Sequence, residues 1–228
     1  MSTETADLSH IDTWLFDLDN TLYPPEAELM SLIAAKMTRF VERETGLPWD
    51  EAFALQKRYL HEHGTTLAGL MAHHGVNPEA FLEEVHDVSM AGLTPDAELR
   101  AAIAALPGRR LVFTNGDKAH ADRVLHALKL DDLFEAVFHI ALADYVPKPH
   151  PQTFQRMMDA HDVDPTRAAF VEDTARNLKP AFDLGMTTVL VGPHANDGDE
   201  PYVVYRTLDL AAFLTSARLR HTSFGETQ

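Results

Sequence analysis

The feature that most narrows the folding choices is an alternation. From Arg110 onward, short apolar runs at 110–114, 136–140, 168–172, 187–191 and 202–204 alternate with helically spaced stretches at 119–129, 151–161, 175–184 and 209–217. Runs that are apolar on both alternations read as strands buried on both faces. Strands joined through single helices pair in parallel, because a parallel crossover needs about a dozen residues or more. Trp14-Leu15-Phe16 has the same character, but no strand pattern follows it for a long way. Instead Leu29, Leu32, Ile33, Met37, Phe40 and Val41 recur at helical spacing within 26–44, and further helices are expected over 49–61, from Thr65-Thr66 to His74, and from Pro78, a first-turn proline. Thr94-Pro95 predicts the start of another helix, through Leu99, Ile103 and Leu106, that Pro107-Gly108 stops. The expectation is an α/β fold: a doubly wound parallel sheet interrupted by an all-helical insertion right after its first strand. The core takes 1–24 and 92–217, the insertion 25–91, and a polar, frayed tail 218–228.

In an open parallel sheet, chemistry gathers where the strands end. The first strand runs into Asp17-Leu18-Asp19-Asn20-Thr21, with Pro24 soon after. A turn explains Asp19 and Asn20, which stop strands by bonding their own backbone. It leaves Asp17 unexplained, since a carboxylate at the mouth of a buried strand needs a cation beside it. On the strand period of two, Asp17 and Asp19 point the same way and can converge on one reacting centre. The second strand ends in Thr114-Asn115-Gly116. This is either an Asn-Gly turn or an anion pocket made by the Thr114 hydroxyl and the Asn115 backbone N–H. Lys148 lies between Pro147 and Pro149, either in a rigid surface loop or as a cation fixed for a carboxylate and a phosphoryl group. The run 168–171 ends in Glu172-Asp173, two more acids that call for a cation.

The chain has a formal net charge of −16, which argues against a nucleic-acid polymer or an anionic membrane as partner, because both require a basic face. A small phosphorylated molecule is still compatible, where a metal ion and a few cations reverse the potential locally. With no cysteine, a thiolate metal site and a cysteine nucleophile are excluded. Met1 to Asp12 lacks the basic and apolar blocks of a signal peptide, and no apolar run approaches the length needed to span a bilayer, so the cytoplasm is the expected location.

Asp17-Leu18-Asp19-Asn20-Thr21-Leu22 resembles the first signature of the haloacid dehalogenase superfamily, which in its phosphatases is Asp-x-Asp-x-Thr or Asp-x-Asp-x-Val after a buried strand. Thr114, Lys148-Pro149 and Glu172-Asp173 resemble the second, third and fourth signatures, in order and each near a predicted strand end. The resemblance runs from Asp17 to about Val191. It implies a Mg²⁺-dependent phosphomonoesterase. Asp17 would attack phosphorus, Asp19 would serve as acid and then base, and Lys148 would hold the nucleophile and the phosphoryl group. Thr114 and Asn115 would bind phosphate. The metal would take Asp17, the Asp19 backbone carbonyl and Asp173, with Glu172 a ligand directly or through water and Asn177 behind them. Dehalogenases of the superfamily lack an acid at the position of Asp19.

Thr21-Leu22-Tyr23-Pro24, followed by a helical cap with Arg58-Tyr59-Leu60-His61-Glu62-His63-Gly64-Thr65-Thr66-Leu67-Ala68-Gly69-Leu70, is similar to the pyrimidine 5'-nucleotidase branch. His63 stands where that branch usually has Tyr. The partner implied is a small phosphate monoester, a pyrimidine nucleoside 5'-monophosphate above others, with Tyr23, His63, Thr65 and Thr66 as cap-side contacts. Phosphoglycolate or a sugar phosphate, or a phosphomutase, stay open as alternatives, whereas a silent binding module has no reason to keep Asp17, Asp19, Thr114, Lys148 and Asp173 together. The segment 64–66 also reads as a helix junction, with Gly64 closing one helix and Thr65 or Thr66 capping the next. His150 is expected to start a helix, and most of the thirteen histidines to be solvated helix residues.

Overall fold

The computed structural model of the chain describes residues 5–219. The strands are β1 (Asp7–Leu8), β2 (Thr13–Phe16), β3 (Arg109–Phe113), β4 (Ala136–Phe138), β5 (Ala168–Glu172), β6 (Thr187–Val191), β7 (Tyr205–Thr207) and β8 (Arg218–Leu219). Among the described residues, β2 to β7 form one sheet in the order β4-β3-β2-β5-β6-β7, parallel at every pairing. The chain builds outward from β2 on one side through β3 and β4, then crosses to β5, β6 and β7 on the other. The direction therefore reverses at β2, and the crevice at its carboxyl end is where such a sheet takes a ligand.

Strand alternation divides the interior into two layers. Trp14, Phe16, Val112 and Val171 face one layer, where α5 (Ala97–Ala104), α6 (Lys118–Leu128) and α9 (Leu210–Ser216) pack. Leu15, Leu111, Phe113 and Phe170 face the other, under α7 (Pro151–His161) and α8 (Ala175–Asp183). The insertion between β2 and β3 forms α1 (Leu29–Thr45), α2 (Trp49–His63), α3 (Thr66–His74) and α4 (Pro78–His86). Its interior centres on Phe40 and Phe81, edge to face at 4.9 Å. Gly69 lets α3 lie against α2, since a Cβ there would meet the Tyr59 ring at 2.3 Å. No described helix is long and apolar enough to cross a membrane.

Several boundaries move from their expected places. The first cap helix begins at Leu29 rather than Glu26, because Pro25–Ala27 form a 3-10 turn and Glu28, at φ 57, interrupts the helical backbone. Asp96 caps α5 in place of Thr94, its Oδ1 accepting from the Glu98 and Leu99 backbone N–H groups. The last sheet strand is Tyr205–Thr207, not 202–204. Thr188 is the cause: its hydroxyl donates to the Tyr202 carbonyl at 2.6 Å and accepts from the Val204 N–H at 3.1 Å, so the backbone joins the ladder only from Tyr205. Arg218–Leu219 are not frayed; they pair in parallel with Asp7–Leu8. The rest of the expected tail, 220–228, lies outside the described residues. His150 caps α7 with its side chain, and Thr65 caps α3, the Ala68 N–H reaching its hydroxyl at 3.1 Å.

Candidate active site

Asp17 directly follows β2 and extends its ladder by one bond, its N–H donating to the Val171 carbonyl at 2.9 Å. Asp17, Asp19, Thr114, Asn115, Lys148, Glu172, Asp173 and Asn177 all line a cavity of about 500 Å³ between the strand ends and the insertion. Lys148 is its electrostatic centre and is only 1% exposed. Its ammonium donates to Asp17 Oδ1 at 2.6 Å, Glu172 Oε2 at 2.8 Å and the Phe113 carbonyl at 2.7 Å. All three ammonium protons are used, as a buried cation requires. Asn115 fixes the lysine from the backbone side: its Oδ1 accepts the Lys148 N–H at 2.8 Å and its amide donates to the Lys148 carbonyl at 3.2 Å. Gly64, between α2 and α3, lies against the same loop, so the insertion reaches the lysine's support.

The charges here do not balance. Asp17, Glu172 and Asp173 each bring a carboxylate oxygen within 4.8 Å of the others, and among the described residues Lys148 alone pairs with them, although Lys57 and Arg176 also line the cavity. Burial and the Glu172 charge push the Asp17 carboxyl up to about 7, against the pull of Lys148. Burial also pushes Glu172 up to about 7; Lys148 opposes this and Asp173 adds to it. Burial and the Asp17 charge raise Asp173. Burial alone would lower Lys148, but the two carboxylates it touches hold it above its ordinary range. A surplus of hard carboxylate oxygens fits a divalent cation such as Mg²⁺. Asn177 agrees with this: its Oδ1 is buried beside the cavity with no partner among the described residues, an acceptor available to a metal-bound water.

Asp19 sits in different surroundings. The Tyr23 hydroxyl donates to its Oδ1 at 2.6 Å, and His120 Nε2 lies 2.8 Å from the same oxygen. Burial would raise the Asp19 carboxyl, but His120 and Tyr23 outweigh it and hold it below its ordinary range. Thr114 turns its hydroxyl to the Gly116 N–H at 2.9 Å, closing the turn while its own hydrogen stays available.

The insertion's expected contacts divide. Thr65 and Thr66 line the cavity, Thr65 as the α3 cap and Thr66 with its hydroxyl 3.4 Å from the Gln56 carbonyl. Tyr23 does not line it; it is buried against Asp19, because an apolar ring with one polar tip packs inward when the tip finds an acceptor. Nor does His63, whose ring lies edge-on to Tyr59 at 5.7 Å with Nε2 3.1 Å from His73 Nε2. The histidines are not all solvated: His86 and His120 are buried beside Asp19. The sequence carried a signal for His120, since it falls on the stripe of Ala121, Val124, Leu125 and Leu128 that α6 buries.

Residues 11–185, more than half of the chain, match the family described as haloacid dehalogenase-like hydrolase. Over 193 residues the chain is 27% identical to phosphate metabolism protein 8 of Saccharomyces cerevisiae, an alignment that covers 78% of this chain and 60% of the yeast protein. The chain thus spans less than two thirds of that relative's length. It is 25% identical over 191 residues to the (S)-2-haloacid dehalogenase of Xanthobacter autotrophicus, covering 82% of this chain and 75% of that enzyme. A solved HAD phosphatase from Thermococcus onnurineus shares the fold with a TM-score of 0.62 at 20% identity, over 91% of this chain and 100% of that one.

Proposed function

As the chain belongs to the haloacid dehalogenase-like hydrolase family, we propose that it is a Mg²⁺-dependent phosphomonoesterase working through a phosphorylated Asp17. The observation that carries this reading is Asp19, a second carboxylate lining the same cavity and fixed by two hydrogen-bond partners. A departing halide needs no proton. A departing alkoxide does, and an acid beside the nucleophile is what ester cleavage requires and dehalogenation does not.

Thr114 and the Asn115 backbone N–H hold the phosphoryl group beside Lys148. Asp17 attacks phosphorus in line as the bond to the ester oxygen breaks, and Asp19, when protonated, gives its proton to that oxygen. Asp19 then takes a proton from the water that attacks the aspartyl-phosphate, releasing inorganic phosphate and restoring Asp17. Asp17, Asp173, the Asp19 backbone carbonyl and, directly or through water, Glu172 would hold the cation, which supplies charge neutralisation for the phosphoryl oxygens when bound.

The substrate proposed is a small phosphate ester, a pyrimidine nucleoside 5'-monophosphate before others. Its support is the cap stretch 58–70 and a cavity whose insertion side is mostly apolar, with Met30, Met37, Leu60 and Phe81, yet includes the Gln56 amide. The test is phosphate release with Mg²⁺ from UMP, CMP, dUMP, dTMP, AMP, GMP, phosphoglycolate and a hexose phosphate, with Asp17→Asn as the blank. Selective turnover of the pyrimidine nucleotides supports the whole reading. Preference for another ester keeps the mechanism and removes the nucleotide, whereas hexose phosphate isomerised without release of phosphate makes the protein a mutase.

A further inference from the structure

Asp19 is fixed through one oxygen. Both the Tyr23 hydroxyl and His120 Nε2 are on Oδ1, at 2.6 and 2.8 Å. His120 is 1% exposed, and its other ring nitrogen, Nδ1, is buried without a partner among the described residues. An Nδ1–H would be a buried donor with nothing to receive it, so the hydrogen lies on Nε2 and the ring donates to Asp19. The ring is held from two directions. Asp117 accepts the His120 backbone N–H on Oδ1 at 2.7 Å and lies 2.8 Å through Oδ2 from Nδ1 of His86. The His86 ring stacks on His120 at 4.2 Å, with 16° between the planes. His86 is the last residue of α4, and Arg123, on the same helix as His120, donates to the His86 carbonyl at 2.9 Å.

We propose that His120 is a positioning residue for Asp19: together with Tyr23 it occupies Oδ1, so that Oδ2 alone exchanges protons with the reacting groups. This rests on the acid–base role proposed above for Asp19. In ester cleavage the Oδ2–H bond breaks as the O–H bond of the departing alcohol forms. In hydrolysis of the aspartyl-phosphate, Oδ2 takes the proton of the water whose oxygen bonds to phosphorus. His86 and Asp117 keep the imidazole in place, which ties the orientation of Asp19 to the seating of the last cap helix.

The test is the dependence of kcat/KM on leaving group across aryl phosphates from p-nitrophenyl to p-methoxyphenyl, measured with Mg²⁺. Asp19→Asn is expected to lose about 100-fold more on the poorer leaving group than on p-nitrophenyl phosphate. His120→Leu is expected to show the same tilt at about 10-fold, and His120→Gln, which keeps a nitrogen donor near the Nε2 position, to return to within about 3-fold of the wild-type dependence. If His120→Leu lowers every ester by one common factor, or if His120→Gln tilts as far as His120→Leu, the proposal is overturned. Should His120→Leu not fold, Tyr23→Phe removes the other Oδ1 donor and carries the same expectation of a tilt. An untilted Asp19→Asn would remove the acid role and this inference together; a tilted Asp19→Asn with an untilted His120→Leu removes the inference alone.

Discussion

The floor of the cavity, where β2, β3 and β5 end, and its roof, formed by cap helices, hold their polar groups differently. On the floor, Lys148 has all three protons bound and both sides of its backbone held by Asn115, while Asp19 has two partners on one oxygen. On the roof, Met30, Met37, Leu60 and Phe81 provide most of the surface beside Lys57, Thr65 and Thr66, and among the described residues the Gln56 amide donates only to the Met37 sulfur, at 3.7 Å. The Lys148 network, with all three ammonium protons bound, is rigid, and removing one member leaves a buried charge. An apolar wall tolerates exchange of shape. Chemistry is therefore expected to fail sharply when the floor is altered, and substrate choice to drift when the roof is.

The largest effect expected is at Asp17. Asp17→Asn keeps the shape and removes the proposed nucleophile, and kcat should fall on the order of 10⁴-fold or more on every phosphate ester. Acid-quenched mass spectrometry should find phosphate on Asp17 in the wild type and none in the variant. A phosphorylated variant would move the nucleophile elsewhere and break the assignment of the floor.

Lys148→Ala comes next, since it tests whether the floor is one network. It strips Asp17 and Glu172 of their shared cation. Removing one partner from a buried pair costs about 3–5 kcal/mol, to be read by denaturant unfolding at pH 8 without divalent metal. A loss below about 1 kcal/mol would mean that the floor is as forgiving as the roof.

A third effect follows from the carboxylate surplus. Asp17 and Glu172 are both pushed up to about 7 in the folded protein, whereas unfolded carboxylates titrate near ~4. Groups raised in this way bind more protons folded than unfolded. Their contribution to stability is complete below about pH 4 and is lost as the pH rises to about 7. A cation offsets that loss by replacing the protons. The rise in Tm on adding Mg²⁺ is expected to be larger at pH 8 than at pH 5, and Asp173→Asn to reduce it. An equal rise at both pH values would remove the cation from this cluster.

The same contrast explains what could be read from the chain alone. Asp17, Asp19, Thr114, Glu172 and Asp173 stand at or near the end of an apolar run, and a strand end fixes both position and direction, so their convergence is legible; Lys148, in the loop between β4 and α7, is legible only from its flanking prolines and the signature it resembles. Helix periodicity gives a face and not the neighbour it meets. His120 shows itself as a polar residue on a buried stripe, but its partners Asp19 and His86 come from elements distant in sequence. The resemblance places Tyr23 and His63 facing a substrate; in the structure Tyr23 turns inward to an acceptor and His63 packs on Tyr59 and His73. The sequence points to the Asn115 backbone N–H, while its side chain brackets Lys148 across the gap between the end of β3 and the 147–149 loop, a pairing that only the fold creates.

The smallest effect expected is on the roof, and it sharpens the comparison most. Gln56 is buried and lines the cavity; its Oε1 accepts from the Thr38 hydroxyl at 2.6 Å, leaving the amide hydrogens with a thioether as their partner. A thioether is a weak acceptor, so a substrate carbonyl oxygen that enters the cavity is a better one. Gln56→Leu does not orphan Thr38, because its hydroxyl also reaches the Ala34 carbonyl at 3.0 Å. The fold should therefore survive, with Tm close to wild type. For UMP, whose base carries two carbonyl oxygens, KM is expected to rise about 10-fold, within the ~1–3 kcal/mol that a single pocket contact contributes. The kcat should change by less than about twofold, because a contact formed equally in the ground and transition states affects binding alone. A large fall in kcat with KM unchanged would instead give the roof a part in the chemistry, and the division between a floor that reacts and a roof that selects would have to be abandoned.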